Sequence, residues 1–250
     1  MEAWQLLLAF AASFVAGYLG SAVGLVLGTL RLPAMLVAAG DASAAAGTNI
    51  AISAAAAATG GYRHAREGRV SWRVVAWMAP TSIIGAVVGA LTGHLVPTRA
   101  LFAAIAAVLA WNGLDLLVAP FRARPRPEPR LYSAAVFGFV IGLVGGALGV
   151  ILGTLRMPAL LRSVGLDARI AVGTNLVVGF FLGVAGFVAH AFRLEVEWDL
   201  LAVGLVGALP GAWFGAHVTG RISELALRRA IGVALLGIAS AFAVEALLGP

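Results

Sequence analysis

Residues 20–36 read GSAVGLVLGTLRLPAML, and residues 145–161 read GGALGVILGTLRMPALL. At an offset of 125, 11 of the 17 positions are identical, including the run Gly-Thr-Leu-Arg-x-Pro-Ala. The match resumes downstream. Gly47-Thr48-Asn49 aligns with Gly173-Thr174-Asn175, His64 with His190, Trp72 with Trp198, Pro80 with Pro210 and Gly85 with Gly215. Chance does not produce this, so the chain is two copies of one unit. They are joined by RARPRPEPR at 122–130, a Pro/Arg run that no helix tolerates.

The surroundings of the repeat decide the class. Of 250 residues, 61% are hydrophobic and 11% charged, with a mean hydropathy of +0.99. A soluble domain is roughly 45–50% apolar and about 25% charged. This chain cannot cover its surface with polar groups, which excludes an ordinary soluble domain, and disorder needs low hydrophobicity. What remains is an all-α polytopic protein in a lipid bilayer, with roughly eight to ten crossings at about 20 residues each. The net charge is +6, and all 17 basic residues are arginine. They fall mostly in short breaks between apolar runs, so they read as topology signals and not as a nucleic-acid surface. Absence of cysteine excludes disulfides, thiolate metal sites and Cys nucleophiles. The acidic flank at Glu2 predicts a retained first helix, because a cleaved signal wants a basic one.

Each copy divides into five apolar segments, roughly 3–22, 24–39, 43–62, 72–94 and 98–118, then 132–149, 150–164, 169–192, 197–219 and 229–248. The second of each is short and broken by Arg-x-Pro, the pattern of an interrupted helix. The organisation is thus a first membrane repeat over 1–121, a linker at 122–130, and a second repeat over 131–250. Arg63, Arg66, Arg69 and Arg73 face one Glu in the 63–73 loop, and the linker has four Arg against one Glu. Both are expected to be cytoplasmic. The second copy's equivalent loop carries Arg193, Glu195, Glu197 and Asp199, and is expected outside. Equivalent loops on opposite sides require an odd number of crossings per copy. The repeats are therefore expected to be inverted.

Many glycines are spaced by four, as in Gly207/Gly211/Gly215, which lets helices pack closely in lipid and can serve a homo-oligomer face. Arg31 and Arg156 stand apart. Each lies in an apolar stretch, where a charge costs at least ~2.5–3.5 kcal/mol. Proline is favoured at the first position of a helix, so Pro33 and Pro158 are expected to open half-helices beside them. Free N–H groups and the positive dipole end would then join the guanidinium, with Thr29 and Thr154 as hydroxyl donors and Gly28 and Gly153 exposing backbone. Inverted symmetry would bring both halves together near the midplane as a desolvated site for a planar or tetrahedral oxyanion. Thr48, Asn49, Thr174 and Asn175 are the second candidate pair, as helix glue or pathway lining. Asp41 and Asp167 at segment starts and Asp115 near a segment end are the candidate intramembrane acids, and His64 and His190 end their helices beside charged loops.

At these residues the chain resembles the sulfite exporter TauE/SafE family of membrane permeases. The resemblance rests on the Gly-rich stretches Gly20–Leu36 and Gly145–Leu161, the two Gly-Thr-Asn elements, and the loop with His64, Gly68, Val70, Ser71 and Trp72. It covers nearly the whole chain. It implies a transporter for small sulfur-containing anions or organic acids, often outward, in a bacterial inner membrane. Arg31 and Arg156 interrupt a stretch that is usually small or aliphatic in the family, which favours an anionic cargo. No catalytic motif, metal-ligand cluster or cofactor box is evident. The rival readings are an intramembrane enzyme and a non-transporting membrane subunit.

Overall fold

The computed structural model describes residues 2–25, 28–39, 41–92, 98–118, 127–148, 151–192 and 194–248. The described residues are helical with no strand. The helices are α1 (Ala3–Val23), α2 (Gly28–Ala39), α3 (Ala42–Arg66), α4 (Trp72–Thr92), α5 (Thr98–Val118), α6 (Leu131–Leu148), α7 (Gly153–Pro158), α8 (Ala168–Phe192), α9 (Trp198–Thr219) and α10 (Glu224–Leu248). A π-helical segment, Ala159–Val164, continues α7. These are the ten apolar segments expected from the sequence. Among the described residues, five helices, within α1, α4, α8, α9 and α10, are long and apolar enough to cross a membrane. At 1.5 Å per residue, the 21 residues of α1 reach about 31 Å, the thickness of a hydrocarbon core.

The chain folds as two compact units that do not follow the sequence repeats. One contains residues 1–71 and 172–221, the other 72–171 and 222–250. Small residues fill many of the closest helix contacts, and many large apolar side chains face outward. On α9 the buried set includes Gly204, Gly207, Ala208, Gly211, Ala212 and Gly215, while Val206, Trp213 and Phe214 are exposed. Lipid solvates large apolar side chains, so close backbone contact holds the helices together. A Cβ on Gly207 would lie 2.5 Å from the Phe10 carbonyl oxygen, and one on Gly17 2.7 Å from that of Ala208.

In the first unit, glycine contacts fix helix direction. Gly207, Gly211 and Gly215 meet Phe10, Phe14 and Tyr18, so α1 and α9 run parallel. Gly204 touches both Ser13 and Ile52, and His64 sits beside Ser21, so α3 runs the same way. Against α3, α8 is antiparallel: Gly47 meets His190, Ala54 meets Gly183, and His64 meets Gly173. Because α1 and α3 run parallel, the chain must return between them, and α2 carries the return. Its 12 residues span about 18 Å, little more than half the core.

In the second unit, α4 and α6 are parallel, with Gly138 on Met78 and Gly142 on Ser82. Helices α5 and α10 are antiparallel, with Gly113 on Gly232 and the Phe102 and Phe242 rings 5.6 Å apart. Each unit contains, within itself, a helix contact at repeat-equivalent positions. Gly215 packs on Tyr18 in one, and Gly85 packs on Leu143 in the other.

Candidate functional site

The break between α1 and α2 builds the site. Helix α1 ends at Gly24, whose φ of 72° is the left-handed cap conformation that glycine adopts without strain. The Gly24 carbonyl, one of the orphan acceptors at a helix end, receives a 2.6 Å hydrogen bond from Asn175 Nδ2. Helix α2 then begins at Gly28, five residues before Pro33. The expectation that proline opens the helix is corrected: the glycine-rich break, not the ring, sets the start. In the second copy, α7 begins at Gly153 and Pro158 is its last residue. Pro158 cannot donate to the carbonyl of Thr154, and the helix widens into π turns from Ala159. The side chains of Thr29 and Pro33 lie outside the described residues.

Arg31 sits one turn into α2 and is 2% exposed. Its Nε donates to Asn49 Oδ1 at 2.9 Å, and its Nη2 donates to the Asn49 carbonyl at 2.8 Å and to Ser53 Oγ at 2.7 Å. Asn49 Nδ2 donates in turn to the Gly28 carbonyl at 3.0 Å. Glycine is required at 28, because a Cβ there would lie 2.5 Å from Ser53 Oγ and 3.2 Å from Asn49 Nδ2. Asn49 and Ser53 are the eighth and twelfth of the 25 residues of α3, so the guanidinium is level with the middle of that helix. All three partners are neutral, and no carboxylate pairs with Arg31 among the described residues. A cavity of about 20 Å³, room for a water, adjoins Arg31 and is walled by Gly20, Ser21, Gly28, Ser53 and Ala57.

The remaining expected residues sort by role. Gly28, Arg31 and Asn49 form one hydrogen-bonded cluster. Arg156 is fully buried with Gly153, Thr154 and Pro158 in α7. Thr48 and Thr174 hold loops: Thr48 Oγ1 accepts from Glu197 N–H at 2.8 Å, and Thr174 Oγ1 from Ser71 N–H at 3.0 Å. Asp41 and Asp167 are helix N-caps, accepting from Ala44 N–H at 2.7 Å and Ile170 N–H at 3.0 Å. Asp115 pairs with Arg162, half-buried in the second unit. Ser53 was missed. A lone serine among alanines carries no motif, and its position four residues after Asn49 was the only available signal.

The sequence profile described as sulfite exporter TauE/SafE matches residues 9–242. A Bacillus subtilis (strain 168) protein named "probable membrane transporter protein YdhB" is 25% identical over 193 residues, covering 75% of this chain and 79% of that protein. A Sinorhizobium sp protein, "probable membrane transporter protein ORF9", is 27% identical over 245 residues, covering 96% and 92%. A Xylella fastidiosa (strain 9a5c) "probable membrane transporter protein" is 26% identical over 235 residues, covering 89% and 90%. No solved structure matches. With the apolar helices and the buried arginines already in place, the match over almost the whole length identifies the chain as a member of the sulfite exporter TauE/SafE family and a multi-pass membrane transporter.

Proposed function

We propose that this transporter moves a small anion, a sulfur oxyanion, sulfonate or organic acid, bound near the bilayer midplane by Arg31 and Arg156. The observation that carries the reading is Arg31 itself. A buried guanidinium tied only to neutral acceptors is an uncompensated cation, costly by several kcal/mol unless a counter-charge arrives. The start of α2, one turn away, adds positive dipole at the same place. A carboxylate from the protein would neutralise the site. Its absence among the described residues leaves the role to a mobile anion. The guanidinium fork matches oxyanions because it donates parallel hydrogen bonds.

The repeats are read as inverted, in the cell membrane, with the arginine-rich 63–73 loop in the cytoplasm. Two observations support inversion. Equivalent helices α3 and α8 are antiparallel, as are α5 and α10, which a two-fold axis across the helices produces.

Flux of radiolabelled sulfite, sulfate and thiosulfate into proteoliposomes tests the proposal. Arg31→Ala and Arg156→Ala are each expected to lower flux at least ~100-fold while the protein still inserts, the order expected for losing a charged hydrogen-bonding partner of about 3 kcal/mol. Full flux in both single variants would refute the assignment.

A further inference from the structure

We infer that Ser53 positions Arg31 and that Ser21 offers a hydroxyl to the same cavity, so that the two repeats coordinate the cargo unequally. The inference rests on reading Arg31 as the anion-binding residue. Ser53 Oγ has one proton and two lone pairs. The proton goes to the Asn49 carbonyl at 2.7 Å, which leaves a lone pair for Arg31 Nη2, also at 2.7 Å. Nη2, Oγ and the Asn49 carbonyl oxygen thus close a triangle. Together with Nε on Asn49 Oδ1, this fixes one edge of the guanidinium to α3. The hydrogen bonds of Arg31 among the described residues are made by Nε and Nη2, not Nη1, and Arg31 lines the cavity beside Ser21. Ser21 is 2% exposed, and its hydroxyl likewise makes no bond within the described residues.

The second copy lacks these hydroxyls. At the repeat offsets of 125 and 126, Ser21 corresponds to Gly146 and Ser53 to Gly179. A third buried serine, Ser13, corresponds to Gly138. Asn49, by contrast, is kept as Asn175, and Arg31 as Arg156. Whatever else holds Arg156, a hydroxyl at position 179 does not. The arginine and asparagine are duplicated, while the buried hydroxyls of Ser13, Ser21 and Ser53 belong to the first copy alone. That copy therefore supplies a locked guanidinium with an added donor.

Thermal-shift titration of detergent-purified protein with sulfite, sulfate, thiosulfate and phosphate tests this, since a ligand bound only to the folded state raises its midpoint. Ser53→Ala is expected to weaken binding of the responding anion roughly tenfold, and Ser21→Ala roughly fivefold. Ser21→Ala should leave the anion-free midpoint within about 2 °C of the parent, Ser53→Ala should lower it by a few degrees because two buried hydrogen bonds go, and Ser53→Thr should restore affinity to within about twofold. If Ser53→Ala does not fold, Ser21→Ala decides, because its hydroxyl carries no bond to the protein. Parental affinity in both alanine variants, with none in Arg31→Ala, overturns the inference and leaves the arginine reading standing. A lowered midpoint with parental affinity in Ser53→Ala makes that serine structural and also overturns it. Parental affinity in Arg31→Ala, or no response of the parent to any of the four anions, overturns both.

Discussion

The turns after α3 and α8 are one backbone design with opposite charge. In the first, Gly68 N–H donates to the Ala65 carbonyl at 3.1 Å and Arg69 N–H to that of His64 at 2.8 Å. In the second, Leu194 and Glu195 make the same two bonds to Ala191 and His190, at 3.1 and 3.0 Å. Each turn then crosses to the other repeat, one through Ser71 and Thr174, the other through Glu197 and Thr48. Gly173 packs on the Arg69 carbonyl and Gly47 on that of Glu195. The side chains have diverged. Arg63, Glu67, Arg69 and His217 gather at the first turn, with Arg63 stacked 4.6 Å from the Trp213 ring. At the second, His190 pairs with Glu195 at 2.7 Å. Close packing preserves backbone geometry because few residues fit. Loop charge is free to change, and arginine counts set which side faces the cytoplasm. Duplicated architecture and differentiated charge are thus separable in one molecule.

The comparison can be broken most severely at the glycines. Leucine at Gly173 or Gly47 would drive a side chain into a loop carbonyl, costing about 3 kcal/mol or more. Both variants are expected to lose the monodisperse peak in size-exclusion chromatography, and a normal peak from either would refute the tight crossing. Thr48→Val and Thr174→Val should each cost about 1 kcal/mol, lowering the melting midpoint by about 2–4 °C. Equal losses are expected, since the bonds are equivalent. A loss at only one would show that the turns differ in more than charge.

Smaller effects sharpen the contrast. Gly68 has φ 70° and Leu194 φ 59°, so the same left-handed position is filled by glycine in one copy and leucine in the other. A non-glycine residue there costs roughly 1–2 kcal/mol. Leu194 is 90% exposed and has little packing to lose, so Leu194→Gly is expected to raise the midpoint by a few degrees and Gly68→Leu to lower it. Glu195→Gln removes a half-exposed pair and should change stability by less than about 1 kcal/mol.

Much of this was legible beforehand. The ten helices follow from apolar length and the Arg/Pro breaks, and α2 is as short as its interrupted sequence suggests. Arg31 stood out because a lone charge in a 20-residue apolar context is conspicuous on energetic grounds. Three things were hidden. Proline at 33 looked like a helix opener, yet α2 starts five residues upstream at Gly28, after the left-handed Gly24 that ends α1. Asp41 and Asp167 read as intramembrane acids, while their carboxylates cap helices within three residues. The partners of Thr48 and Thr174 are backbone N–H groups 149 and 103 residues away, which leave no trace in side-chain identity.

The central claim is that Arg31 receives an anion inside the bilayer. Anomalous scattering from crystals grown with selenate, a tetrahedral oxyanion, tests it most directly. The account predicts a selenium peak about 4 Å from the Arg31 guanidinium, the spacing of an oxyanion hydrogen-bonded through one oxygen. Peaks confined to the loop arginines, with none at Arg31 under saturating selenate, would contradict it.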